Sequence, residues 1–289
     1  MLGSLFFSRM TTIKFNGEYF SVKDTLECGQ VFRFKPYDKG YLVFSLNKCA
    51  YCYNEGDFAF IECKDSDEEY FYHYFDLARD YAKVYNSALN QGVDILTKSA
   101  MVGKGIRILN QDPTEAICSF IISQNNNIPR IKGIIEKLSF SCGEKKYFNG
   151  IEYFSFPSVT ALANKDLQFF RSTGLGYRAE YVKNFYLELQ NGLNVDAYKG
   201  LSTSELKKEL TKIHGVGPKV ANCVSLFGFH RTDSFPVDTW IAKVYEQDFK
   251  GKEKNREKIT EWFLSQFKDD SGYFQQYLFH YKRILEKKS

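Results

Sequence analysis

The sequence has no apolar run long enough to cross a membrane, although hydrophobic residues make up 44% of its 289 positions. A membrane-spanning helix needs about 20 consecutive apolar residues, so the composition indicates a globular chain that does not insert into a membrane. The first ten residues, MLGSLFFSRM, also lack the basic leader and small-residue cleavage site of a secretion signal. They predict an irregular or vector-derived extension over residues 1–10 of an intracellular protein.

Cysteine is absent after Cys223. The C-terminal stretch therefore cannot carry a cysteine-ligated iron–sulfur cluster. Cys49 and Cys52 form a CxxC pair, but no second pair completes a four-ligand metal site. We favour packing thiols over metal binding at this pair, and the odd total of seven cysteines fits reduced thiols inside a cell.

A strong excess of one charge is also missing. The 39 basic and 35 acidic residues leave a net charge of +4, which permits binding to nucleic acid without arguing for it. A role on DNA would therefore depend on where the basic residues lie, because their number decides nothing.

The residue pattern changes along the chain from strands to helices. Up to about Lys64, segments rich in β-branched and aromatic residues, such as TTIKFN, YLVFSLN and FAFIECK, alternate with turns and predict an antiparallel sheet. The stretch SDEEYFYHYFDLARDYAKV then has helical spacing, with Ser66 and Glu69 placed as a capping box. We predict an α+β protein with a β-sheet and helix domain over residues 11–105 and a mostly α-helical domain over residues 106–289.

From Asp112 onward nearly every segment has helical spacing, and we see no repeat or low-complexity linker. Asp112 is a candidate N-cap, with proline at the first helical position and Glu115 in the first turn. Further helices are predicted over IPRIKGIIEKL, SVTALAN, RAEYVKNFYLELQ, STSELKKELTKI, PKVANCVSLFGF, DTWIAKVYEQ and GYFQQYLFHYKRILEKK.

The turn HGVG joins two of these helices. Gly215 and Gly217 allow the chain to reverse and let a ligand approach the backbone, and Pro218 starts the next helix where its missing N–H costs least. Free N–H groups at the start of that helix, together with its dipole, form a phosphate site. The pattern is typical of a helix-hairpin-helix, and a plain helical hairpin with a glycine cap is the alternative.

Lys219 lies in the first turn of the second of these helices. An apolar face runs beside it, formed by Val220, Cys223, Val224 and Phe227. An apolar border and a helix N-terminus both disfavour a charged amine, and a lysine nucleophile needs the neutral amine. A solvated lysine that binds phosphate explains the same segment equally well. Asp238, in FPVD ahead of the next helix, is a favoured N-cap residue and a candidate carboxylate partner for Lys219.

GVGPKVANC followed by FPVD resembles the helix-hairpin-helix DNA glycosylases, and specifically the 8-oxoguanine DNA glycosylase/AP lyases. The segments ECGQVFRF, GIRILNQDPTEAICSFIISQNNNIPRI, GLGYRAEYV and GYFQQYLF each resemble segments of this family, in the family's order. The resemblance extends across most of the chain. It implies a TATA-box-protein-like N-terminal β-sheet domain joined to the helical domain.

The resemblance implies that Lys219 attacks C1′ of the damaged nucleotide, expels 8-oxoguanine through a Schiff-base intermediate, and then cleaves the 3′ side by β-elimination. Asp238 would stabilise charge on the sugar and assist with protons. The residues implied to bind the damaged base are Gly29, Cys223, Phe227, Pro236, Gln275 and Phe279. Taken alone, Gly29 would be a simple turn, Gln275 a helix-surface amide and Phe279 a core aromatic.

Contacts with DNA are implied in the same way. Asn125 would fill the gap left by the extruded base, although three consecutive asparagines are by themselves typical of a loop. Arg130 and Arg178 would contact the orphaned cytosine and so predict a preference for cytosine opposite the lesion, while Tyr177 would wedge beside it. The implied DNA-binding residues are Asn125, Asn126, Arg130, Tyr177, Arg178, Gly215, Gly217 and Val220.

Two positions depart from the family. Trp240 stands where the family often has a phosphate-contacting histidine, and Phe227 where animal enzymes carry methionine. The resemblance implies no required cofactor, although the backbone carbonyls of the hairpin are a candidate site for a cation that bridges to DNA. It implies a monomer that acts on double-stranded DNA containing 8-oxoguanine, and the missing targeting signals favour a prokaryotic cytoplasm, on nucleoid DNA.

Two other functions are consistent with parts of the pattern. A glycosylase of the same fold could act on another lesion, but the missing iron–sulfur cysteines argue against the endonuclease III and adenine-mismatch groups. The presence of Lys219 argues against the monofunctional alkyl-base enzymes. A module that only holds DNA through its hairpin predicts a small domain and an arbitrary residue at position 219.

Overall fold

The structure, a computed structural model, describes residues 9–288, with side chains described up to Leu285. Residues 1–8, which make up most of the predicted extension, lie outside the described residues, and Met10 already begins the first strand. Within the described part, no helix is long and apolar enough to cross a membrane.

The N-terminal part is an antiparallel sheet with the strand order β1-β5-β4-β3-β2. Its strands are β1 (Met10–Asn16), β2 (Phe34–Tyr37), β3 (Gly40–Ser45), β4 (Lys48–Glu55) and β5 (Phe58–Lys64). They follow the alternating segments of the sequence, because side chains on successive residues of a strand point to opposite faces of the sheet. The predicted antiparallel sheet is confirmed.

Both faces of this sheet are covered. The helices α1 (Val22–Glu27) and α2 (Glu68–Tyr74) pack on one face, and a hairpin of β6 (Lys145–Phe148) and β7 (Ile151–Phe154) packs on the other. Cys52 is buried in the core under the helices and Cys49 in the core under the hairpin. The two thiols therefore point to opposite faces and cannot bind one metal ion together, which confirms the packing interpretation of the CxxC pair.

Helices form nearly all of the rest. They are α3 (Tyr81–Asn90), α4 (Asp94–Val102), α5 (Pro113–Ser123), α6 (Ile128–Cys142), α7 (Val159–Ala163), α8 (Leu167–Ser172), α9 (Arg178–Gln190), α10 (Thr203–Lys212), α11 (Pro218–Gly228), α12 (Thr239–Gln247), α13 (Arg256–Phe267) and α14 (Ser271–Lys288). Helix α11 lies at the centre of this group and packs on α5 and α10. The predicted N-cap of α5 is confirmed, because the Asp112 side chain accepts a hydrogen bond from the Glu115 N–H at 2.9 Å.

The single helix predicted after residue 65 is wrong. Ser66 lies in a short 3-10 turn, α2 begins only at Glu68, and no capping box forms. The chain then leaves the helix at Asp76, which has a φ of +52° and accepts hydrogen bonds from Arg79 Nε at 2.7 Å and the Tyr81 hydroxyl at 3.1 Å. These side-chain contacts stabilise a turn that separates α2 from α3.

The prediction that nearly everything after Asp112 is helical is confirmed apart from residues 145–154, which form the β6–β7 hairpin. Asn149 and Gly150 form its turn, with φ of +47° and +77°. A two-residue turn of this type needs positive φ at both positions and is typically built from Asn-Gly. A pair of adjacent aromatic residues stands on each side of it in KKYFNGIEYF, and the Asn-Gly pair lies between them, so the sequence did contain the signal for this hairpin.

The segment between the two predicted domains is buried and is not an exposed linker. Arg107 is 1% exposed, and its guanidinium donates to backbone carbonyls of Tyr19 at 3.2 Å and Phe75 at 2.9 Å. The guanidinium carbon Cζ of Arg107 lies over the Tyr81 ring, 3.9 Å from the ring centroid. This arginine joins the sheet, α3 and the start of the helical part. The boundary between residues 105 and 106 stays a prediction.

A buried ion pair holds the sheet, α5 and β7 together. Arg33 Nη1 lies 3.3 Å from Glu115 Oε1, and the same guanidinium donates to the carbonyls of Leu46 and Phe154. Glu115 Oε2 accepts from the Leu46 N–H at 2.8 Å. Burial raises the pKa of the Glu115 carboxyl above its usual value, and the Arg33 charge opposes that rise. Each member of the pair is therefore stable in its buried position only while the other is present.

Arg33→Met is expected to lower the free energy of unfolding at pH 7 by about 3–5 kcal/mol, because it leaves the Glu115 charge buried without a partner. Burial raises the pKa of Glu115 in the folded state above its value in the unfolded state. The loss of unfolding free energy should therefore be smallest below the unfolded pKa, where Glu115 is protonated, and should grow as the pH rises through the folded pKa. Urea unfolding at pH 7 and pH 5 measures this. Lys98→Met, which removes an exposed pair with Asp94, is the control. Equal losses for both variants would contradict the assignment.

Candidate active site

The helical hairpin uses its two glycines differently. Gly215 has a φ of +88°, and a Cβ atom there would lie 2.4 Å from Cγ of Tyr181, so this position requires glycine. Gly217, the N-cap of α11, has an ordinary φ of −85°, and a Cβ atom there would meet nothing within 4 Å. The expectation that both glycines reverse the chain is therefore corrected: Gly215 makes the turn, and Gly217 leaves open space in front of the helix.

The N-terminus of α11 faces that space. Pro218 is its first residue, and the N–H groups of Lys219 and Val220 have no acceptor among the described residues. Free N–H groups at a helix start bind anions such as phosphate. Val220 is only 3% exposed, and its side chain packs in the helical core. Any contact of this residue with DNA must therefore come from its backbone.

A lysine and a carboxylate stand at the starts of α11 and α12, within electrostatic reach of each other. Lys219 is half-buried and lies against the Cys223 thiol, within electrostatic reach of Asp238. The Asp238 side chain caps α12 by accepting from the Ile241 N–H at 2.9 Å. Burial raises the pKa of the Asp238 carboxyl, while the helix N–H groups and the Lys219 charge lower it. Capping thus fixes a carboxylate within electrostatic reach of a primary amine.

The buried side-chain amide of Gln275, on α14, bonds to the segment just before Asp238. Gln275 is 4% exposed, and its Nε2 donates to the Pro236 carbonyl at 3.2 Å, two residues before Asp238. Its Oε1 is buried and accepts no hydrogen bond within the described residues. A buried polar atom without a partner is unfavourable unless a ligand satisfies it. The alternative interpretation of Gln275 as a helix-surface amide is wrong.

The loop before β2 meets the same helix at Gly29. Its φ is +90°, and a Cβ atom there would lie 3.2 Å from Cε1 of Phe279 and 3.1 Å from Nη1 of Arg283. The Gly29 carbonyl accepts no hydrogen bond within residues 9–288. The neighbouring carbonyl of Cys28 is held by Gln276 Nε2 at 2.8 Å. The N-terminal part of the chain therefore places Gly29, whose carbonyl is free among the described residues, next to the half-buried ring of Phe279.

Phe227 forms a rigid wall one turn after Cys223 on α11. It is 4% exposed and stacks on Phe120 of α5, with ring centroids 5.5 Å apart and an interplanar angle of 16°. All four residues of the predicted apolar face, Val220, Cys223, Val224 and Phe227, are thus buried in the helical core. No local pattern pointed to Phe120, because its partner is distant in the chain.

The asparagine loop lies between α5 and α6. Asn125 is exposed with a φ of +45°, and its side chain makes no hydrogen bond with the described residues. The Asn126 amide donates to the Ile122 carbonyl at 3.1 Å, and Asn127 caps α6 by accepting from the Arg130 N–H at 3.0 Å. The two flanking bonds fix the loop and leave Asn125 pointing outward.

The two arginines are placed differently from each other. Arg130 is exposed and donates to the Gly174 carbonyl at 3.0 Å. Arg178 is only 3% exposed, and it donates to the carbonyls of Gln124, through Nε at 2.7 Å, and Asn125, at 2.8 Å. Arg178 is therefore a buried residue that stabilises the backbone of the asparagine loop. A contact between Arg178 and cytosine stays a prediction. It requires Arg178 to break some of its hydrogen bonds with the carbonyls of Gln124 and Asn125.

Two aromatic residues, Tyr177 and Trp240, stand at positions that the family resemblance connects with DNA. Tyr177 is 53% exposed, and its role as a wedge stays a prediction. Trp240, in the first turn of α12, lies under the ammonium of Lys243, which is 4.9 Å from the ring centroid. Arg256 at the start of α13 is within electrostatic reach of Asp238. Sequence reasoning missed both cations, because nothing in their spacing connects them to the site.

The sequence matches the models of two known domains. The N-terminal domain of 8-oxoguanine DNA glycosylase matches residues 12–117, and the HhH-GPD superfamily of base excision DNA repair proteins matches residues 118–268. The chain therefore belongs to the HhH-GPD superfamily of base excision repair proteins. Within it, the chain is a member of the 8-oxoguanine DNA glycosylase family and an enzyme of the N-glycosylase/DNA lyase type, which confirms the resemblance found in the sequence.

Several known proteins resemble this chain over most of its length. A probable N-glycosylase/DNA lyase of Methanothermobacter thermautotrophicus is 30% identical over 229 residues, which cover 72% of each chain. The Clostridium acetobutylicum 8-oxoguanine glycosylase/lyase, solved with DNA that has cytosine opposite 8-oxoguanine, is 36% identical with a TM-score of 0.89 over 93% of each chain. MBOgg1, solved with a low-affinity DNA ligand, is 36% identical with a TM-score of 0.91 over 96% of each chain.

Proposed function

We propose that this enzyme excises 8-oxoguanine from duplex DNA, with a preference for lesions opposite cytosine, and then cleaves the strand on the 3′ side of the abasic site. The observation that carries the proposal is that Lys219 and Asp238 stand at the starts of two helices, within electrostatic reach of each other. A primary amine beside a fixed carboxylate can do both steps, whereas an activated water could release the base but would leave no covalent link to the sugar.

The proposed chemistry begins with the neutral amine of Lys219. Its nitrogen attacks C1′, the bond from C1′ to N9 breaks, and the electron pair leaves with the base, which takes up a proton. The amine then loses a proton, the bond from C1′ to the ring oxygen O4′ breaks, and O4′ takes the electron pair and a proton. The resulting imine between C1′ and the lysine nitrogen acidifies C2′. Loss of the C2′ proton and of the 3′ phosphate then breaks the strand. The Asp238 carboxylate stabilises the positive charge that develops on the sugar and assists with proton transfer.

Recognition of the damaged base is proposed for the free groups around this pair. 8-Oxoguanine carries an N–H at N7 where guanine has an acceptor, and the unpaired Gly29 carbonyl is suited to accept from it. The unpaired Gln275 Oε1 is suited to the pairing edge of the base. Cys223 and Phe279 would hold the two faces of the ring. Extrusion of the base from the duplex costs a few kcal/mol, and these contacts offset that cost.

Reading of the opposite base is proposed for Arg130, with Arg178 as the second contact. We expect Arg130→Gln to reduce the ratio of excision opposite cytosine to excision opposite adenine by about tenfold, because one good contact to a base edge is worth about 1–3 kcal/mol. Single-turnover excision with cytosine, adenine, guanine or thymine opposite the lesion measures this ratio. Arg171→Gln, an exposed arginine paired with Glu180, is the control. Equal rates with all four bases in the wild type would contradict the proposal.

The proposal includes a monomer that needs no cofactor and works in a prokaryotic cytoplasm. Among the described residues no group of three or more His, Cys, Asp or Glu side chains could hold a metal ion. In the hairpin, the Ile213 carbonyl accepts from the Val216 N–H at 2.9 Å and the Gly215 carbonyl from Gln124 Nε2 at 2.9 Å. The Val216 carbonyl accepts no hydrogen bond within residues 9–288, so a cation that bridges to phosphate would bind there.

A further inference from the structure

Gln124 lies where three DNA-facing segments of the chain come together. Its side-chain Nε2 donates to the Gly215 carbonyl of the hairpin at 2.9 Å. Its backbone carbonyl accepts from Arg178 Nε at 2.7 Å and from the Tyr177 hydroxyl at 3.4 Å. Its own chain continues directly into Asn125. One half-buried residue thus touches the hairpin and the Tyr177–Arg178 pair and begins the asparagine loop.

A ring contact connects the same segments along a second path. Tyr181 of α9 packs edge-on against Tyr177 at 5.9 Å and against His214 of the hairpin at 5.0 Å. Gly215 presses directly on the Tyr181 ring. These contacts fix how far the hairpin is from the wedge, and they reach the asparagine loop only through the bonds of Tyr177 and Arg178 to its backbone carbonyls. The Gln124 side chain is a direct connection between the hairpin and the loop.

We propose that Gln124 is a positioning residue. It couples the binding of phosphate by the hairpin to the placement of Asn125 and Tyr177 at the site of the extruded base. The inference rests on the proposed function. Phosphate bound at the start of α11 fixes the backbone at Gly215. The amide of Gln124 transmits that position to its own backbone, and so to the next residue, Asn125, whose positive φ depends on the residues around it.

A substitution of the Gln124 side chain can test this coupling selectively. Gln124→Met keeps the length of the side chain but removes the donor to the carbonyls of Gly215 and Ile121, and the Ile121 carbonyl keeps the Gln124 backbone N–H as a donor. The contacts of the backbone carbonyl with Arg178 and Tyr177 do not depend on the side chain and persist. Gly215 is partly exposed, so water can replace the lost donor at its carbonyl. The fold should therefore stay intact while the coupling is lost.

The experiment compares wild type, Gln124→Met and the control Gln266→Met, which makes the same change at an exposed position of α13. Each protein is titrated with undamaged duplex and with a duplex that carries a tetrahydrofuran abasic-site analogue opposite cytosine. 2-Aminopurine next to the analogue reports insertion of side chains into the stack. Binding to this analogue needs no catalysis, so the result does not depend on the chemistry assigned to Lys219.

For Gln124→Met we expect unchanged affinity for undamaged duplex, a loss of about five- to tenfold in preference for the abasic duplex, and a smaller 2-aminopurine signal, as removal of one hydrogen bond predicts. The melting temperature should stay within about 2 °C. Unchanged abasic preference and fluorescence would overturn the inference. Parallel losses in undamaged binding and melting temperature would also overturn it, because they indicate a general structural role. Wild type that binds the analogue but does not excise 8-oxoguanine would contradict only the proposed function.

Discussion

Lys219→Gln is expected to reduce release of 8-oxoguanine by about a thousandfold or more, because removal of a catalytic nucleophile typically has an effect of this size or larger. The change keeps a polar side chain of similar length at the first turn of α11. The Gly215 turn, the open space at Gly217 and the free N–H groups of the helix start do not depend on it. Binding to abasic-site DNA should therefore fall much less than excision does.

The matched control for this variant is Lys98→Gln on α4, where the ammonium is exposed and paired with Asp94. It removes the same charge away from the site and should leave excision unchanged. Single-turnover excision and titration of an abasic duplex measure the two quantities separately. A Lys219→Gln enzyme that excises at the wild-type rate would mean that Lys219 is the solvated, phosphate-binding lysine that the sequence left open.

Asp238→Asn should reduce single-turnover excision by about a hundred- to ten-thousandfold, which is the usual range for loss of an acid–base group. Asparagine is as good an N-cap as aspartate, so the bond to the Ile241 N–H should persist and the melting temperature should change little. Asp238→Ala, in contrast, should lose both activity and the cap, at about 1 kcal/mol of stability. The comparison separates the catalytic role of the carboxylate from its structural role.

The pH dependence of excision provides a second test of Asp238. Burial raises the pKa of this carboxyl above its usual value of 3.8, despite the opposing N–H groups and Lys219. On acidification the active carboxylate is therefore lost at a higher pH than in an exposed aspartate. Wild-type excision should fall on the acid side of the profile, and the residual activity of Asp238→Asn should lack that decline. Full activity in Asp238→Asn would contradict the role of the charge.

Local signals in the sequence predicted a large part of the fold. Asp112 and Pro113 marked the start of α5, and the alternation in FAFIECK marked β5, because capping and side-chain alternation act over a few residues. The β6–β7 hairpin was missed although Asn149 and Gly150 signal it. The break at Asp76 depends on contacts with Arg79 and Tyr81, which form only once the turn exists.

The site was predictable to a smaller extent. Lys219 and Asp238 were found because each lies at a recognisable helix start, and Gln275 only through the family resemblance. Its burial and its bond to Pro236 require the tertiary structure. The position of Arg178 beneath the asparagine loop could not be read from the sequence either, since its partners lie more than 50 residues earlier in the chain.

Trapping the intermediate tests the central claim most directly. The enzyme is incubated with a duplex that has 8-oxoguanine opposite cytosine in the presence of borohydride, which reduces an imine to a stable amine, and the cross-linked peptide is then identified by mass spectrometry. We predict a covalent protein–DNA adduct at Lys219 in wild type and in Lys98→Gln, and none in Lys219→Gln. An adduct at another residue, an equal yield from Lys219→Gln, or no adduct from an enzyme that releases the base would contradict the account.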